Sequence, residues 1–236
     1  MKKFKLFLLS LIPCKKWRKI IKTHYQTLHT KDFIYKSKPI RLFQSDYNCG
    51  YYENRMSERS VEMAITKLWL DRIYGEIIEL GAVSPYYFPR AVNHVCDPYD
   101  SHKSVDLKCS LFDLDLSGKN VLCISTIEHI ATGDYGVEIN AAESPLLALK
   151  KILNEASNSL ITFPVGVNAE LDDYFSGQKY LELRSEDKSL DIAVLSRGVN
   201  DNNWHELTDF SKINSINYGP LYANAVVIID MQSRKE

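Results

Sequence analysis

The sequence predicts an α/β fold: a mostly parallel sheet with helices on both faces and a late antiparallel strand. Short apolar runs typical of buried strands alternate with segments of helical periodicity, which favours parallel strands joined by crossover helices. The run 120–125 is continuously apolar, as in a strand buried on both faces. The last apolar run, 223–230, follows a turn at Gly219-Pro220 and has no helix after it, so we expect it to be antiparallel.

The remaining elements follow from periodicity and capping residues. Residues 57–74 repeat apolar side chains at helical spacing, and Ser57 is a suitable cap. Residues 144–156 form a second helix, with Ser144 as cap and Pro145 at the first helical position. A short helix fits within 85–92. The expected strands lie near 76–80, 92–96, 108–112, 120–125, 160–163 and 223–230.

Charge divides the 236-residue chain into a basic leader, 1–45, and a domain, 46–236. The first forty residues carry eleven Lys and Arg and one acid, Asp32, although the whole chain has a net charge of -1. That near-neutral total gives no indication of a nucleic-acid partner. The five cysteines form no Cys-x-x-Cys pair, which indicates a reducing compartment and hence a cytoplasmic protein.

Residues 1–22 imitate a signal peptide, but their apolar run is too short to span a bilayer and no small-residue cleavage site follows it. Lysines flank the run, and Trp17 lies near its end. This pattern fits a helix lying on an anionic membrane surface, here the inner face of the membrane. The alternative is a helix packed on the domain or on a partner chain. We expect a helical or irregular conformation for the leader as a whole.

Two acidic residues lie at or near the ends of predicted strands. Glu79 is followed by Leu80 and Gly81, and Asp97 comes about twenty residues later. An acid after the second strand of an open α/β sheet can accept the ribose hydroxyls of an adenosine group. A nicotinamide-binding loop needs three glycines, and here Val83 and Pro85 stand at the second and third positions. The sequence therefore favours an adenosine cofactor without a pyrophosphate.

Four further motifs carry a family resemblance. They are Arg55-Met-Ser-Glu-Arg59-Ser-Val-Glu62, Ser125-Thr-Ile-Glu-His129, Gly133-Asp-Tyr-Gly136 and Leu160-Ile-Thr-Phe-Pro-Val-Gly166. With them the chain resembles class I S-adenosylmethionine-dependent methyltransferases, especially a bacterial subset with such motifs, over about residues 50–170. The resemblance implies a Rossmann-like class I methyltransferase fold with S-adenosylmethionine as cofactor.

The resemblance also implies roles for individual residues. Glu79, Gly81 and Ala82 would form the loop near the methionine part of the cofactor, and Arg59 would grip its carboxylate. Asp97 would take the ribose. The implied adenine and reactive-side residues are Pro98, Tyr99, Ser110, Leu111, Ser125 and Thr126, with Asp113 as an alternative acid. His129 would be the general base, with Glu128 orienting its imidazole or contacting the cofactor.

Each of these roles has a structural alternative. Glu79 could cap a helix or pair with a lysine, Asp97 could be a turn residue, and His129 could bond a neighbouring backbone group. Arg59 could lie on a solvated helix face. The histidines show no metal-ligand spacing, so we assign no metal.

The expected reaction is methyl transfer to an oxygen or nitrogen of a small acceptor. The basic leader resembles leaders on enzymes of bacterial capsule and lipopolysaccharide assembly, so the acceptor could be a nucleotide-activated or lipid-linked sugar, or a modifying group on such a glycan. Two other functions stay open: a nicotinamide-dependent oxidoreductase, and a non-catalytic scaffold of the same fold at the membrane surface.

Overall fold

The computed structural model describes residues 32–43, 57–134, 142–183, 187–198, 203–219 and 223–234. They form a two-stranded hairpin and a seven-stranded sheet. The strands are β1 (Asp32–Tyr35), β2 (Lys38–Arg41), β3 (Ile77–Leu80), β4 (His94–Cys96), β5 (Asn120–Ile124), β6 (Asn158–Pro164), β7 (Lys188–Arg197), β8 (Trp204–Glu206) and β9 (Ala225–Ser233). The α-helices are α1 (Glu58–Leu70), α2 (Pro145–Glu155) and α3 (Ala169–Ser176).

The seven-stranded sheet has the order β4-β3-β5-β6-β9-β7-β8. Strand β3 pairs in parallel with β4 and with β5, and β5 pairs in parallel with β6. Strand β9 is antiparallel to both β6 and β7, so it lies inside the sheet between them. The mostly parallel sheet and the late antiparallel strand are therefore confirmed.

Helices cover both faces of the sheet, as the sequence predicts. Alternate residues of β5 face opposite ways: Val121 and Cys123 pack with α2 and α3, whereas Leu122 and Ile124 pack with α1. This period of two is a property of every strand, and burial on both faces explains the unbroken apolar run.

The two predicted helices begin where their capping residues indicate. Helix α2 begins after Ser144, whose side chain accepts a hydrogen bond from Leu147 N at 3.2 Å. Helix α1 begins after Ser57, but that side chain makes no capping bond, and the helix ends at Leu70 rather than at 74. The short helix expected within 85–92 is a 3-10 turn at Ser84–Tyr86.

The strand expected near 108–112 is wrong. Leu107 forms a single parallel bridge with Cys96, and Leu111–Asp113 is a 3-10 turn. Ser110 caps that turn, since its hydroxyl accepts a hydrogen bond from Phe112 N at 3.3 Å. A capping serine therefore ends a short apolar run that could otherwise have continued along the sheet edge.

The leader contains a hairpin where we expected a helical or irregular segment. Strands β1 and β2 pair across a turn, and Phe33 and Tyr35 are buried in the same cluster as α1. The Lys36 ammonium lies 3.1 Å from Asp230 on β9. The proposed membrane segment, residues 1–22, lies outside the described residues, as does Arg55. None of the helices described is both long and apolar enough to cross a membrane.

Candidate functional site

A cavity of about 510 Å³ opens at the carboxyl ends of β3, β4 and β5. Strand β3 has β4 on one side and β5 on the other, so the chain reverses its direction across the sheet at this point. Open α/β sheets place their ligands at such a switch point. The predicted residues that line the cavity are Gly81, Ala82, Asp97, Pro98, Tyr99, Ser110, Leu111, Ser125, Thr126 and His129.

Gly81 turns the chain sharply at the end of β3. Its φ is +83°, a region that L side chains rarely adopt, and a Cβ here would lie 2.0 Å from Thr126 Oγ1. Its amide donates to Cys96 O at 2.8 Å, which ties the loop to β4. The glycine therefore lets the loops after β3 and β5 approach closely.

Glu79 organises this first loop from inside the protein and does not line the cavity. Its Oε1 accepts hydrogen bonds from Val83 N at 3.2 Å and Ser84 N at 2.6 Å. Its Oε2 accepts from the Ser84 hydroxyl. Burial raises the pKa of Glu79 to about 7, although these hydrogen bonds oppose the rise. The carboxyl thus caps the 3-10 turn that follows, as in the structural alternative for this residue.

Asp97 lies on the cavity wall and also holds two loops together. Its Oδ2 accepts from Ala82 N at 3.1 Å, and its Oδ1 accepts from Tyr99 N and Asp100 N, both at 2.8 Å. A carboxylate has about four acceptor positions. Among the contacts of the described residues, one position on Oδ2 remains for a ligand. The turn role and the binding role are therefore compatible at this residue.

The opposite wall of the cavity comes from the segment after the Leu107 bridge. Ser110 donates to Glu143 Oε1 at 3.4 Å, and Leu111 is buried beneath the cavity. Tyr99 is 55% exposed beside it. This part of the wall therefore combines apolar and polar side chains.

Ser125 and Thr126 form the floor at the end of β5. Ser125 has a φ of +42°, which is uncommon for a residue other than glycine. Its hydroxyl donates to Glu62 Oε1 at 2.7 Å, and Thr162 donates to the same oxygen at 2.8 Å. Residues held in such conformations cluster at functional sites, where the surrounding structure keeps them in place.

His129 ends the 3-10 turn after β5, and its ring lines the cavity. Its Nδ1 lies 2.8 Å from Asp134 Oδ2, and this hydrogen bond lowers the pKa of Asp134. An ionised Asp134 requires the proton on Nδ1, so the lone pair of the neutral ring lies on Nε2. The geometry suits a base whose second nitrogen is held by a carboxylate.

Glu128 and Arg59 do not line the cavity. Glu128 is fully buried and its Oε1 lies 3.7 Å from His129 Nε2, too far for a hydrogen bond. Burial raises the pKa of Glu128 well above the usual value. The Arg59 guanidinium is buried, with Nη1 3.2 Å from Glu62 Oε2. Asp134, rather than Glu128, therefore makes the contact that orients the His129 ring. Arg59 lies among buried acids instead of in the cavity wall.

Several cavity residues escaped the sequence reasoning. They are Leu80, Val83, Cys96, Asp100, Cys109, Phe112, Ile130, Ala131, Gly133, Asp134 and Glu143. Asp134 had a signal, since it stands in the Gly-Asp-Tyr-Gly motif, but nothing in its spacing assigned it to His129. Glu143 had none, because it comes from the segment before α2.

The described part of the cavity wall is acidic. Asp97, Asp100, Asp134 and Glu143 line it, and no Lys or Arg among the described residues does. The segment 135–141 between two of these wall residues, outside the described part, has one acid and no Lys or Arg in its sequence. In the described ranges no cluster of three His, Cys, Asp or Glu side chains could hold a metal ion.

No family model and no curated protein matches this chain. Among solved structures it is similar to a chain of the "Structure of the Pnkp1/Rnl/Hen1 RNA repair complex", with 14% identity and a TM-score of 0.37. The match covers 72% of this chain and 41% of that one, so the chain spans less than half of that neighbour's length. A likeness this weak carries no argument about function.

Proposed function

We propose that this chain is a class I S-adenosylmethionine-dependent methyltransferase that methylates an oxygen or nitrogen of a small acceptor. The observation that carries the proposal is Asp97, an acid at the end of the second parallel strand, on the wall of a cavity at the sheet's switch point. The reversed strand β9 inside an otherwise mostly parallel sheet agrees with the resemblance.

The first loop argues for a cofactor without a pyrophosphate. Its four consecutive amides, 81–84, donate to acceptors within the protein: Cys96 O, Asp97 Oδ2 and, twice, Glu79 Oε1. A dinucleotide site uses the amides of this loop to hold phosphate oxygens. Because these four have protein acceptors, the nicotinamide alternative has no phosphate cradle here.

Charge supports the same choice. Four acids line the described wall without a lysine or arginine beside them. A pyrophosphate would be repelled there, whereas S-adenosylmethionine has a net positive charge, because its sulfonium and amino groups outweigh its one carboxylate. The same charge pattern favours an acceptor group that is uncharged or cationic, such as a sugar hydroxyl or an amine of a glycan precursor.

The chemistry asked of the protein is modest. The sulfonium supplies an electrophilic methyl group, so the enzyme has to align the acceptor with it and remove one proton. His129 Nε2 takes that proton, and the Asp134 carboxylate on Nδ1 stabilises the imidazolium that forms. Asp97 holds the adenosine end, and Gly81 permits the close loop packing beside it.

Replacing Asp97 tests the cofactor site. Asp97→Asn keeps one oxygen for the backbone amides but removes the charge that strengthens the bond to a ribose hydroxyl. One charge-assisted hydrogen bond contributes about 1.5–3 kcal/mol, so S-adenosylhomocysteine should bind at least about tenfold more weakly by calorimetry. Asp106→Asn is the matched control, because Asp106 accepts from Val95 N at 2.7 Å but lies outside the cavity.

The ligand supplies a second arm of that test. Adenosine and 2′-deoxyadenosine are compared on the native chain and on Asp97→Asn. If Asp97 accepts a hydrogen bond from the 2′ or 3′ hydroxyl, removing that hydroxyl lowers the binding free energy less in the variant than in the native chain. The 3′-deoxy compound is run in parallel to identify which hydroxyl is bound. The contrary result is that the losses in binding free energy from the substitution and from the missing hydroxyl simply add for both deoxy compounds, while the affinity for S-adenosylhomocysteine is unchanged. That result would remove Asp97 from the ribose site.

His129→Gln tests the base. A positioned base contributes about a hundred- to ten-thousand-fold in rate, so turnover on any acceptor found should fall on that scale. Affinity for S-adenosylhomocysteine should stay within a few-fold, because Gln retains a polar side chain at the wall. Full activity in the variant would assign proton removal to solvent or another residue.

A further inference from the structure

Two thiols lie next to each other in the cavity wall. Cys96 is the last residue of β4, and Cys109 follows two residues after Leu107, its bridge partner. Their Sγ atoms are 3.8 Å apart, and the Cys96 thiol donates to Cys109 O at 3.2 Å. Both residues line the cavity. Nothing in the proposed methyl transfer uses either sulfur.

We propose that Cys96 and Cys109 form a reversible disulfide that narrows the cofactor cavity, so that oxidation of this pair lowers cofactor affinity. The site takes a small-molecule disulfide of the glutathione class as its oxidant. The effect on the cofactor rests on the proposed function, whereas formation of the bond does not.

The geometry needs only a local movement. A disulfide has an S–S distance of about 2.05 Å, so the two sulfurs approach each other by about 1.8 Å. The Asp97 amide, bonded to Leu107 O at 3.0 Å, holds the bridge on one side of Cys109. The 3-10 turn at Leu111–Asp113 follows on the other side. Closing the bond therefore draws Cys109 toward β4 and shifts the short segment around Ser110, which lines the same cavity.

The order of the two chemical steps follows from exposure. Cys109 is partly exposed and Cys96 is buried, and burial raises the pKa of Cys96 to about 12. The Cys109 thiolate therefore attacks one sulfur of the small disulfide and releases one thiolate from it. The Cys96 sulfur then gives up its proton and attacks Cys109 in the mixed disulfide, which releases the second small thiol. Two protein thiols are oxidised, and one small disulfide is reduced to two thiols.

Linkage gives the proposal a second, reciprocal consequence. If the disulfide weakens cofactor binding, bound cofactor must disfavour the disulfide by the same factor. A saturating cofactor would then protect the pair, and the oxidised protein would accumulate when the cofactor is scarce. In a reducing compartment such a bond is transient, which fits a regulatory role rather than a structural one.

The test uses the full chain with Cys14→Ser and Cys49→Ser, because these two cysteines lie outside the described residues. It is incubated with oxidised glutathione, quenched with an alkylating reagent and digested, and the peptides are mapped by mass. We expect one linked peptide pair, Cys96 with Cys109, while the fully buried Cys123 is alkylated only after unfolding. Adding Cys109→Ser or, independently, Cys96→Ala should abolish the link.

Affinity is then measured on the reduced and oxidised forms. Oxidation should weaken S-adenosylhomocysteine binding at least about fivefold, the lower end of typical couplings between sites, and dithiothreitol should restore it. The Cys109→Ser protein should bind equally well with and without oxidant. Absence of the linked pair, or a linked protein with unchanged affinity, would overturn the proposal. If even the reduced chain binds no S-adenosylhomocysteine, the proposed function fails, and peptide mapping still decides whether this disulfide forms.

Discussion

Gly81 is the residue on which the geometry of the cavity depends most directly. Its positive φ turns the chain after β3, and its missing side chain admits the Thr126 hydroxyl. Gly118 has a similar φ, +73°, but a Cβ there would meet nothing within 4 Å. Comparing substitutions at the two glycines therefore distinguishes the effect of backbone strain, present at both, from the effect of close packing, present at Gly81 alone.

Replacing each glycine by alanine should give unequal losses of stability. Gly118→Ala carries only the strain of a positive φ, about 1–2 kcal/mol. Gly81→Ala carries the same strain plus displacement of Thr126, so its free energy of unfolding in urea should fall further. S-adenosylhomocysteine affinity should fall in Gly81→Ala alone. Equal losses of stability with unchanged affinity in both variants would mean that the close approach of the two loops is not needed.

At single residues, the sequence located correctly those residues whose place depends on position along a strand. Asp97 and Gly81 follow strands, so the strand pattern alone places them at one edge of the sheet. Arg59 and Asp134 depend on how a helix and a loop pack around that edge. Arg59 lies beside Glu62 one turn along its own helix, and such local pairing leaves no distinctive pattern of apolar residues.

Helix α1 is unusual as an element because it buries charged residues. Glu58, Arg59 and Glu62 are all buried, and Glu128 and Glu79 lie buried at the ends of the neighbouring strands. Burial raises the pKa of Glu58 to about 7 and that of Glu128 well above its usual value. Uncharged carboxyls in the fold make stability depend on pH.

Replacing Glu128 by Gln tests this dependence. Both states hold the proton below the unfolded pKa of about 4.3. As pH rises, the unfolded chain loses it first, so the raised pKa of Glu128 makes the native protein less stable up to its folded pKa. The stability of Glu128→Gln relative to the native chain should therefore be higher at pH 8 than at pH 5. Urea unfolding at both values measures this.

The control for that comparison is Glu182→Gln, at an exposed position in the 3-10 turn Lys179–Leu183. Its stability relative to the native chain should be the same at both pH values. A Glu128→Gln difference that does not change with pH would show that Glu128 ionises normally in the folded protein.

The elements that the sequence predicted best are those with long, unbroken patterns. Strand β5 and helix α2 have clear boundaries because a continuous apolar run and a Ser-Pro cap mark them. The pattern failed at 108–112, where Ser110 closes a turn. It also failed at β1 and β2, because the basic residues around this hairpin drew attention away from its two buried aromatic residues, Phe33 and Tyr35. Strand β7 was not predicted, and among its apolar residues lie the charged residues Lys188, Asp191 and Arg197.

For the whole molecule, the strand order decides where chemistry is possible. It brings the loops after β3, β4 and β5 to one edge, and each loop contributes residues to the same cavity. Side-chain periodicity predicts strands but not their order, so the position of the switch point comes from the structure rather than from the sequence. The seven-stranded order also explains how β9, the last strand in the chain, comes to lie within the sheet.

The most direct measurement of the central claim is an isothermal titration of the full chain with S-adenosylhomocysteine, alongside one with oxidised nicotinamide adenine dinucleotide. We predict saturable one-to-one binding of S-adenosylhomocysteine and no detectable binding of the dinucleotide, because the first loop offers no amides to a pyrophosphate and the described wall is acidic. Binding of the dinucleotide, or of neither compound, would contradict the assignment of this cavity to S-adenosylmethionine.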